Sequence, residues 1–275
     1  MRERLEPTAD PESPRLYVRR EGSRSSLWTA TEAEPPSLYR ERVIHAPRAT
    51  LRSFDPTRSK LAAGILRGLR APLPRPGERW LYLGAAGGTT ASHVADLVGP
   101  EGVVFAVEKS LRPFVRLIAI SEHHPGLRPL LADARRPAEL LGLVPPVDGL
   151  YADIAQPDQV EILRANAREF LRSRGSVLLA LKTASMGREL GPGEHAREAV
   201  RELRAEFDLQ PPLPLEPFHR RHFLIAGRLR PRPLGDGAPR PPPSGVPPRP
   251  AGAHGGAGRR LHGAIARRYA GRAPR

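Results

Sequence analysis

Lysine is scarce in this chain of 275 residues. Of 44 basic residues 41 are arginine, and the three lysines are Lys60, Lys109 and Lys182. Arginine does not give up its proton, whereas a lysine amine can. Each lysine therefore marks a position with a use for a compact, titratable amine, or else forms a surface salt bridge, which contributes little. A second set of chemically capable residues follows short apolar runs. LYLGAAGGTTASHV places Gly84, Gly87 and Gly88 ahead of Thr89 and Thr90. A glycine turn into a helix lets a ligand approach the backbone and offers free N–H and hydroxyl donors, or is simply a tight turn. Its spacing is not the dinucleotide G-x-G-x-x-G, because Ala85 and Ala86 follow Gly84. Glu108, 24 residues after Gly84 in VFAVEKS, stands where nucleoside-binding α/β sheets keep an acceptor for ribose hydroxyls. Asp133 and Ala134 in LLADAR suit an adenine edge through an acid and a backbone N–H, and Asp153 opens DIAQPDQ. Together these exits favour a nucleoside cofactor without phosphates, since the acids would repel a pyrophosphate.

Such residues need a scaffold that brings strand ends together. From Asp55 onward apolar runs (RWLYLGAA, GVVFAVE, LRPLLAD, VDGLYAD, SVLLALK, HFLIAGRL) alternate with amphipathic spans (SKLAAGILRGL, TTASHVADLV, RPFVRLIAISEH, PDQVEILRANAREFLRS, EHAREAVRELRAEF). Alternation of this kind predicts a mostly parallel sheet covered on both faces, with ligands beyond the carboxyl ends of its strands. Residues 55–230 would form this α/β, Rossmann-like domain. Residues 1–54 carry short β-like pieces (RLYVRR, SSLWTATEA, YRERVIHA) and predict a small β-rich domain with a flexible start, too short to stand without packing on the α/β domain. Residues 231–275 are rich in Pro, Gly and Arg and predict a disordered tail, with a short helix around LHGAIARRYAG.

The formal charge is +15. From Arg228 to Arg275 there are eleven arginines against one acid, Asp236, so most of the surplus lies at this end. The segment is either a solvated linker or a sequence-blind arm for nucleic acid, bound through salt-sensitive phosphate contacts. The absence of cysteine excludes a disulfide framework, cysteine-ligated zinc and thiol catalysis, and no metal site is expected. No apolar run reaches 18 residues and none follows the N-terminus, so a soluble, intracellular, cytoplasmic protein is expected, without membrane contact.

The segments SFDPTRSKLAAGIL, LYLGAAGGTTASHVADLVG, VFAVEKS, LLADAR, YADIAQPDQVEIL and LLALKTAS resemble the fibrillarins, above all the archaeal fibrillarin-like rRNA/tRNA 2′-O-methyltransferases, over roughly Arg15 to Leu229. The resemblance implies an S-adenosylmethionine-dependent methyltransferase fold behind a small β domain. It implies transfer of a methyl group to ribose 2′-hydroxyls of RNA in rRNA or tRNA processing, with a box C/D guide RNA and a Nop-type scaffold as partners. On it, Gly84, Ala85, Ala86 and Gly88 would bind the cofactor, and Thr89 and Thr90 would line its methionine part. Glu108 and Lys109 would meet its ribose and adenine, Asp133 and Ala134 its base, and Asp153, Ile154, Ala155 and Gln156 its sulfonium side. Lys60, Asp153, Lys182 and His222 match the family's Lys-Asp-Lys-His catalytic group, with His219 a competing alignment for the last.

That group suits the chemistry. A sulfonium is already electrophilic, so the protein must align O2′ with the methyl carbon and remove the hydroxyl proton. Lys182 would stabilise the developing negative charge, with partial general-base character, Asp153 would orient Lys182, and Lys60 would position the ribose or an adjacent phosphate. Two residues depart from the family: Lys109 replaces an apolar aromatic beside the cofactor, and Gly87 stands where serine is common. Three alternatives remain at this level: methyl transfer to a protein glutamine, a noncatalytic RNA-binding protein on the same fold, and a small-molecule O-methyltransferase.

Overall fold

Alternating short strands open the chain and build one antiparallel sheet. Its strands are β1 (Leu5–Pro7), β2 (Leu16–Glu21), β3 (Arg24–Thr31), β4 (Val43–Ala46) and β5 (Ala49–Phe54), in the order β1-β2-β3-β5-β4. This computed structural model describes residues 5–7, 13–22, 24–37, 39–47, 49–187 and 189–231. The expected C-terminal tail, from residue 232 onward, and the helix around LHGAIARRYAG lie outside the described residues.

β5 has no counterpart among the expected strands, and its reason is Arg52. This side chain is fully buried, with Nε 2.6 Å from Asp96 Oδ2, and the Thr29 hydroxyl donates to the same oxygen at 2.7 Å. A charge in the middle of ATLRSF hides the strand from any reading of apolar alternation. The same ion pair joins the small sheet to the α/β region, and Leu16, Leu27 and Phe54 share one apolar cluster with Trp80, Val94 and Leu97.

The larger sheet contains β6 (Arg79–Leu83), β7 (Val103–Glu108), β8 (Leu127–Leu131), β9 (Val147–Ala152), β10 (Leu171–Lys182), β11 (Phe207–Leu209), β12 (Leu213–Pro214) and β13 (His222–Leu229). Their order is β11-β13-β10-β9-β6-β7-β8, with β12 on β13. β8, β7, β6, β9 and β10 run parallel, whereas β13 is antiparallel to β10 and to β11. The architecture is α/β and Rossmann-like, a mixed sheet. Strand order reverses between β6 and β9, which makes their carboxyl ends the switch point where α/β sheets bind ligands.

Helices cover both faces. α1 (Lys60–Leu66), α2 (Thr89–Val98) and α3 (Leu111–Ser121) pack on the face carrying Trp80, Tyr82, Leu178, Ala180 and Leu224. α4 (Gln159–Phe170) and α5 (Pro192–Leu203) cover the face carrying Leu81, Leu179, Leu181 and Ile225. Successive residues of a strand point to opposite faces, so even positions of β10 and β13 look toward α1 and odd ones toward α4 and α5. α1 starts at a Ser59 cap whose hydroxyl accepts the Ala62 N–H at 3.3 Å. A Cβ on its Gly64 would fall 2.4 Å from Leu224 Cδ2, so glycine lets α1 lie close on β13.

Four helices end earlier than the apolar pattern suggests, α1 at Leu66 and α3 at Ser121 by two or three residues. α4 stops at Phe170, since Leu171 already enters β10, where the register shifts before Ser176 and Arg174 takes a left-handed φ of 62°. α5 begins at Pro192, before the expected Glu194, because Gly191 and Glu194 form a cap there. It ends at Leu203, leaving Phe207 to begin β11 in the core. Among the described residues no helix is long and apolar enough to cross a membrane.

Candidate functional site

The carboxyl ends of β6, β7, β8 and β9 enclose a cavity of about 250 Å³. Gly84 and Ala86 come from the first exit, Glu108 and Lys109 from the second, Asp133 and Ala134 from the third, and Asp153, Ile154, Ala155 and Gln156 from the fourth. Gly84 has φ 79°, and a Cβ there would meet the Asp153 carbonyl oxygen at 2.4 Å. Both constraints demand glycine and bring the first and fourth exits against each other.

Glu108 is buried, and its two oxygens accept the Ala86 N–H at 3.0 Å and the Ser110 N–H at 2.7 Å. A carboxylate has about four lone-pair sites, so capacity remains toward the cavity. Asp133 Oδ1 accepts the Arg135 N–H at 3.0 Å, which turns the chain after β8. The Asn166 amide donates to the Ala134 carbonyl at 2.7 Å and holds that turn against α4. Across the third and fourth exits, Arg135 reaches Gln156 Oε1 at 2.6 Å and Asp158 Oδ2 at 3.0 Å.

Ala85, Gly88, Thr89 and Thr90 stand off this cavity. Ala85 is buried with its N–H on the Val107 carbonyl, and Gly88 caps α2. The Thr90 hydroxyl donates to Ser59 Oγ at 3.1 Å, tying α2 to the start of α1. Thr89 faces a smaller cleft with Glu41, Asp55, Arg58 and His93. The helix starts at Thr89, so its first turn carries the Thr90 hydroxyl toward α1.

At the cavity mouth Lys60 Nζ lies 2.8 Å from Asp153 Oδ2, each side chain about a fifth exposed (22% and 20%). The expected partner of Asp153 is Lys182, but α1 places Lys60 there instead. Lys182 and His222 are direct cross-strand partners on β10 and β13, so both emerge on the face covered by α1. Lys60, Asp153, Lys182 and His222 thus meet at one end of one sheet face. Beneath them the buried Tyr82 and Tyr151 rings pack 4.6 Å apart. Burial and then the Asp153 charge push the Tyr82 phenol well above its ordinary value.

Two histidines flank the ion pair, their rings 5.9 Å apart. His222 Nδ1 donates to the Arg220 carbonyl at 2.7 Å and His219 Nε2 to the Pro56 carbonyl at 2.8 Å. A carbonyl only accepts, so these nitrogens carry the protons, and in the neutral His222 ring the free lone pair is on Nε2. Burial first, and the Lys60 charge with it, holds both imidazoles below the usual value.

Arg135, Asn166, Ser59 and Gln159 join the site without having stood out in the sequence. Gln159 had a signal, since it ends the DIAQPDQ block, and Ser59 had one as the residue before Lys60. Arg135 and Asn166 act through partners 21 and 32 residues distant, which no local pattern reveals.

A family model described as Fibrillarin matches residues 9–231. The chain is 43% identical over 191 residues to a fibrillarin-like rRNA/tRNA 2′-O-methyltransferase of Thermococcus gammatolerans, covering 70% of this chain and 84% of the relative. It is 41% identical over 220 residues to the rRNA 2′-O-methyltransferase fibrillarin of Eremothecium gossypii, covering 75% and 67%. Among solved structures, Aeropyrum pernix fibrillarin in complex with natively bound S-adenosyl-L-methionine superposes with a TM-score of 0.73 at 34% identity, over 82% of this chain and 97% of that one. A chain of a fibrillarin/Nop5p complex superposes with a TM-score of 0.69 at 41% identity, over 74% and 94%.

Proposed function

The chain belongs to the fibrillarin family, and from that premise we propose that it is an S-adenosylmethionine-dependent 2′-O-methyltransferase acting on RNA, ribosomal RNA first. The observation that carries the reading is the Lys60–Asp153 ion pair at the mouth of an acid-lined cavity, with Lys182 and His222 on the same sheet face.

The cavity's donor set fits the cofactor. Glu108 offers acceptor capacity for ribose hydroxyls, Asp133 and the Ala134 backbone suit an adenine edge, and Asp153 faces the cationic end. The Arg135 guanidinium is committed to Asp158 and Gln156, so it leaves the acids to set the local potential. Bound there, S-adenosylmethionine supplies a methyl group on a positively charged sulfur, electrophilic without further activation.

The chain's own residues then have two tasks. Asp153 holds Lys60 at the rim, where the ammonium positions the ribose or its adjacent phosphate. His222 Nε2 carries the free lone pair that accepts the 2′-hydroxyl proton, and its lowered affinity for protons keeps it neutral at pH 7. Lys182, beside it on β10, places positive charge against the developing oxyanion. His222 in this reading takes the proton that Lys182 was expected to share.

A Nop-type scaffold protein is the proposed partner, on the strength of the fibrillarin/Nop5p relative. Box C/D guide RNA and tRNA substrates, and action in the cytoplasm, belong to the same proposal. The test is a transfer assay with radiolabelled cofactor followed by nuclease or protease digestion. Label released by nuclease and mapped to ribose 2′-oxygens supports the reading; label retained in protein, or none, defeats it.

A further inference from the structure

A second cleft opens at the same end of the sheet but on its other face. It holds about 430 Å³, and its walls include Thr183 and Ala184 after β10, Gly187, Pro192 and His195 at the start of α5, and Arg221. Thr183 directly follows Lys182, and Arg221 directly precedes His222. The cleft is therefore one residue, about 3.8 Å of chain, beyond the Lys182–His222 pair on each strand. A polymer crossing the rim between β10 and β13 passes from one site to the other.

Three features equip this cleft for an anion. α5 is a twelve-residue helix that points its N-terminus, the positive end of its dipole, at the cleft. His195 is only 6% exposed, and its Nε2 has no hydrogen-bond partner among the described residues. A buried ring nitrogen in that state has lost its hydration without replacement, and a turn of the ring toward the cleft would let a bound group make the loss good. Arg221 is exposed and has a left-handed φ of 57°, rare outside glycine. Its carbonyl accepts both the Thr183 N–H at 3.1 Å and the Thr183 hydroxyl at 2.9 Å. Those two bonds hold the unfavourable conformation and fix the direction in which the side chain leaves the backbone.

Two carboxylates lie nearby. Glu194 is committed to its helix cap, accepting the Gly191 N–H at 2.8 Å. The Glu189 carboxylate lies over Gly187 at the rim and opposes an anion there. The volume admits a nucleotide unit and not merely an isolated oxyanion, which favours a polymer backbone as occupant.

We infer that this cleft holds a phosphodiester of the RNA strand next to the nucleotide being methylated, with Arg221 and His195 as the groups that set the strand's register. The inference rests on the proposed RNA-methyltransferase function. Arg221 and His195 are positioning residues, contacting the strand but not the reacting atoms.

The experiment measures methyl transfer by the full chain, assembled with scaffold protein and guide RNA, to an RNA with a mapped target. The linkages flanking the target are either native or neutral methylphosphonates. Arg221→Ala is expected to raise KM for RNA about tenfold, the worth of one charge-assisted hydrogen bond, at unchanged cofactor affinity. It should also flatten the dependence of log KM on log salt by about 0.7, one phosphate contact on a single strand. A methylphosphonate at one flanking linkage should reproduce that rise in the native enzyme and add nothing in Arg221→Ala. His195→Gln should stay near the native KM, His195→Leu should follow Arg221→Ala, and Glu189→Gln should lower KM. An Arg221→Ala enzyme with native KM and salt slope, or a neutral linkage whose effect multiplies with the variant's, overturns the cleft and leaves the methyltransferase reading standing. A native chain that transfers no methyl to RNA overturns both.

Discussion

Gln159 grips Lys182 by its backbone: the amide Nε2 donates to the Lys182 carbonyl at 3.1 Å, and Oε1 accepts the Lys182 N–H at 2.9 Å. The side chain is fully buried at the start of α4, so both bonds are made out of water. They pin the last residue of β10 at the point where its amine must be aimed. Gln159→Leu is expected to lower kcat about 100-fold, because an ångström of misplacement at a reacting centre costs on that order. Cofactor affinity should hold, since Gln159 does not line the cofactor cavity. Gln159→Glu keeps the acceptor and loses the donor, so its kcat should fall between the two. Single-turnover rates set beside cofactor titrations check this; equal losses in kcat and cofactor affinity would contradict it.

Lys60 and Asp153 are separated by 93 residues and bonded at 2.8 Å. Removing one partner leaves the other half-buried and unpaired, so the single changes should each be costly and the double change little worse. Asp153→Asn is expected to lower kcat/KM by about 100-fold or more, because it also lines the cavity proposed for the cofactor. Lys60→Met should cost less, and the double variant should resemble Asp153→Asn alone. Independent effects that multiply in a double-mutant cycle would show that the ion pair is not a functional unit.

Much of this site can be read from the chain because each exit announces itself. An apolar run ending in Gly84, Glu108, Asp133 or Asp153 is what a buried parallel strand with a polar mouth looks like in sequence. Lys60 and Lys182 stand out against a background of arginine. Side chains whose partners are remote stay illegible. Arg52 reads as surface charge until Asp96, 44 residues away, is seen beside it. Asp153 pairs with Lys60 where Lys182 is expected, since spacing says nothing of how closely Gly64 lets α1 approach β13. His195 carries no local signal at all, sitting on an apolar helix face as any core histidine would.

If His222 is the base proposed above, it sets an acid limb on the reaction. Burial and Lys60 lower its pKa, while the Arg220 carbonyl and Asp153 raise it, and the net shift is downward. A base must be neutral to accept a proton, so the rate should rise with pH, with the midpoint of the rise below 6.5, the ordinary imidazole value. Lys60→Met removes a cation and should move this limb up in pH, whereas Asp153→Asn removes an anion and should move it down. His222→Asn should abolish the limb and His219→Asn should leave it. Single-turnover rates across pH 5 to 8 decide; a limb that follows His219 instead would transfer the base assignment to that residue.

The buried Arg52–Asp96 pair sets an acid limit on the fold itself. Asp96 Oδ1 lies 3.6 Å from His124 Nδ1, in a site also reached by Arg52, His93 and Glu41. Burial lowers the His124 pKa to about 4, with Asp96 opposing and Arg52 assisting the shift. A histidine whose folded pKa lies below its unfolded value of about 6.5 binds its proton more readily when unfolded. Its contribution is therefore present above pH 6.5 and is lost as pH falls toward 4. By pH 5 this one group should remove about 2 kcal/mol of stability. Urea unfolding at pH 7 and pH 5 should show a loss of at least that size, diminished in His124→Gln, which cannot take up a proton. Arg52→Met should cost about 3–5 kcal/mol at pH 7, since it strands a buried carboxylate. It should recover part of that loss when Asp96→Asn is added. A His124→Gln protein that loses as much stability between pH 7 and 5 as the native chain would place the acid sensitivity elsewhere.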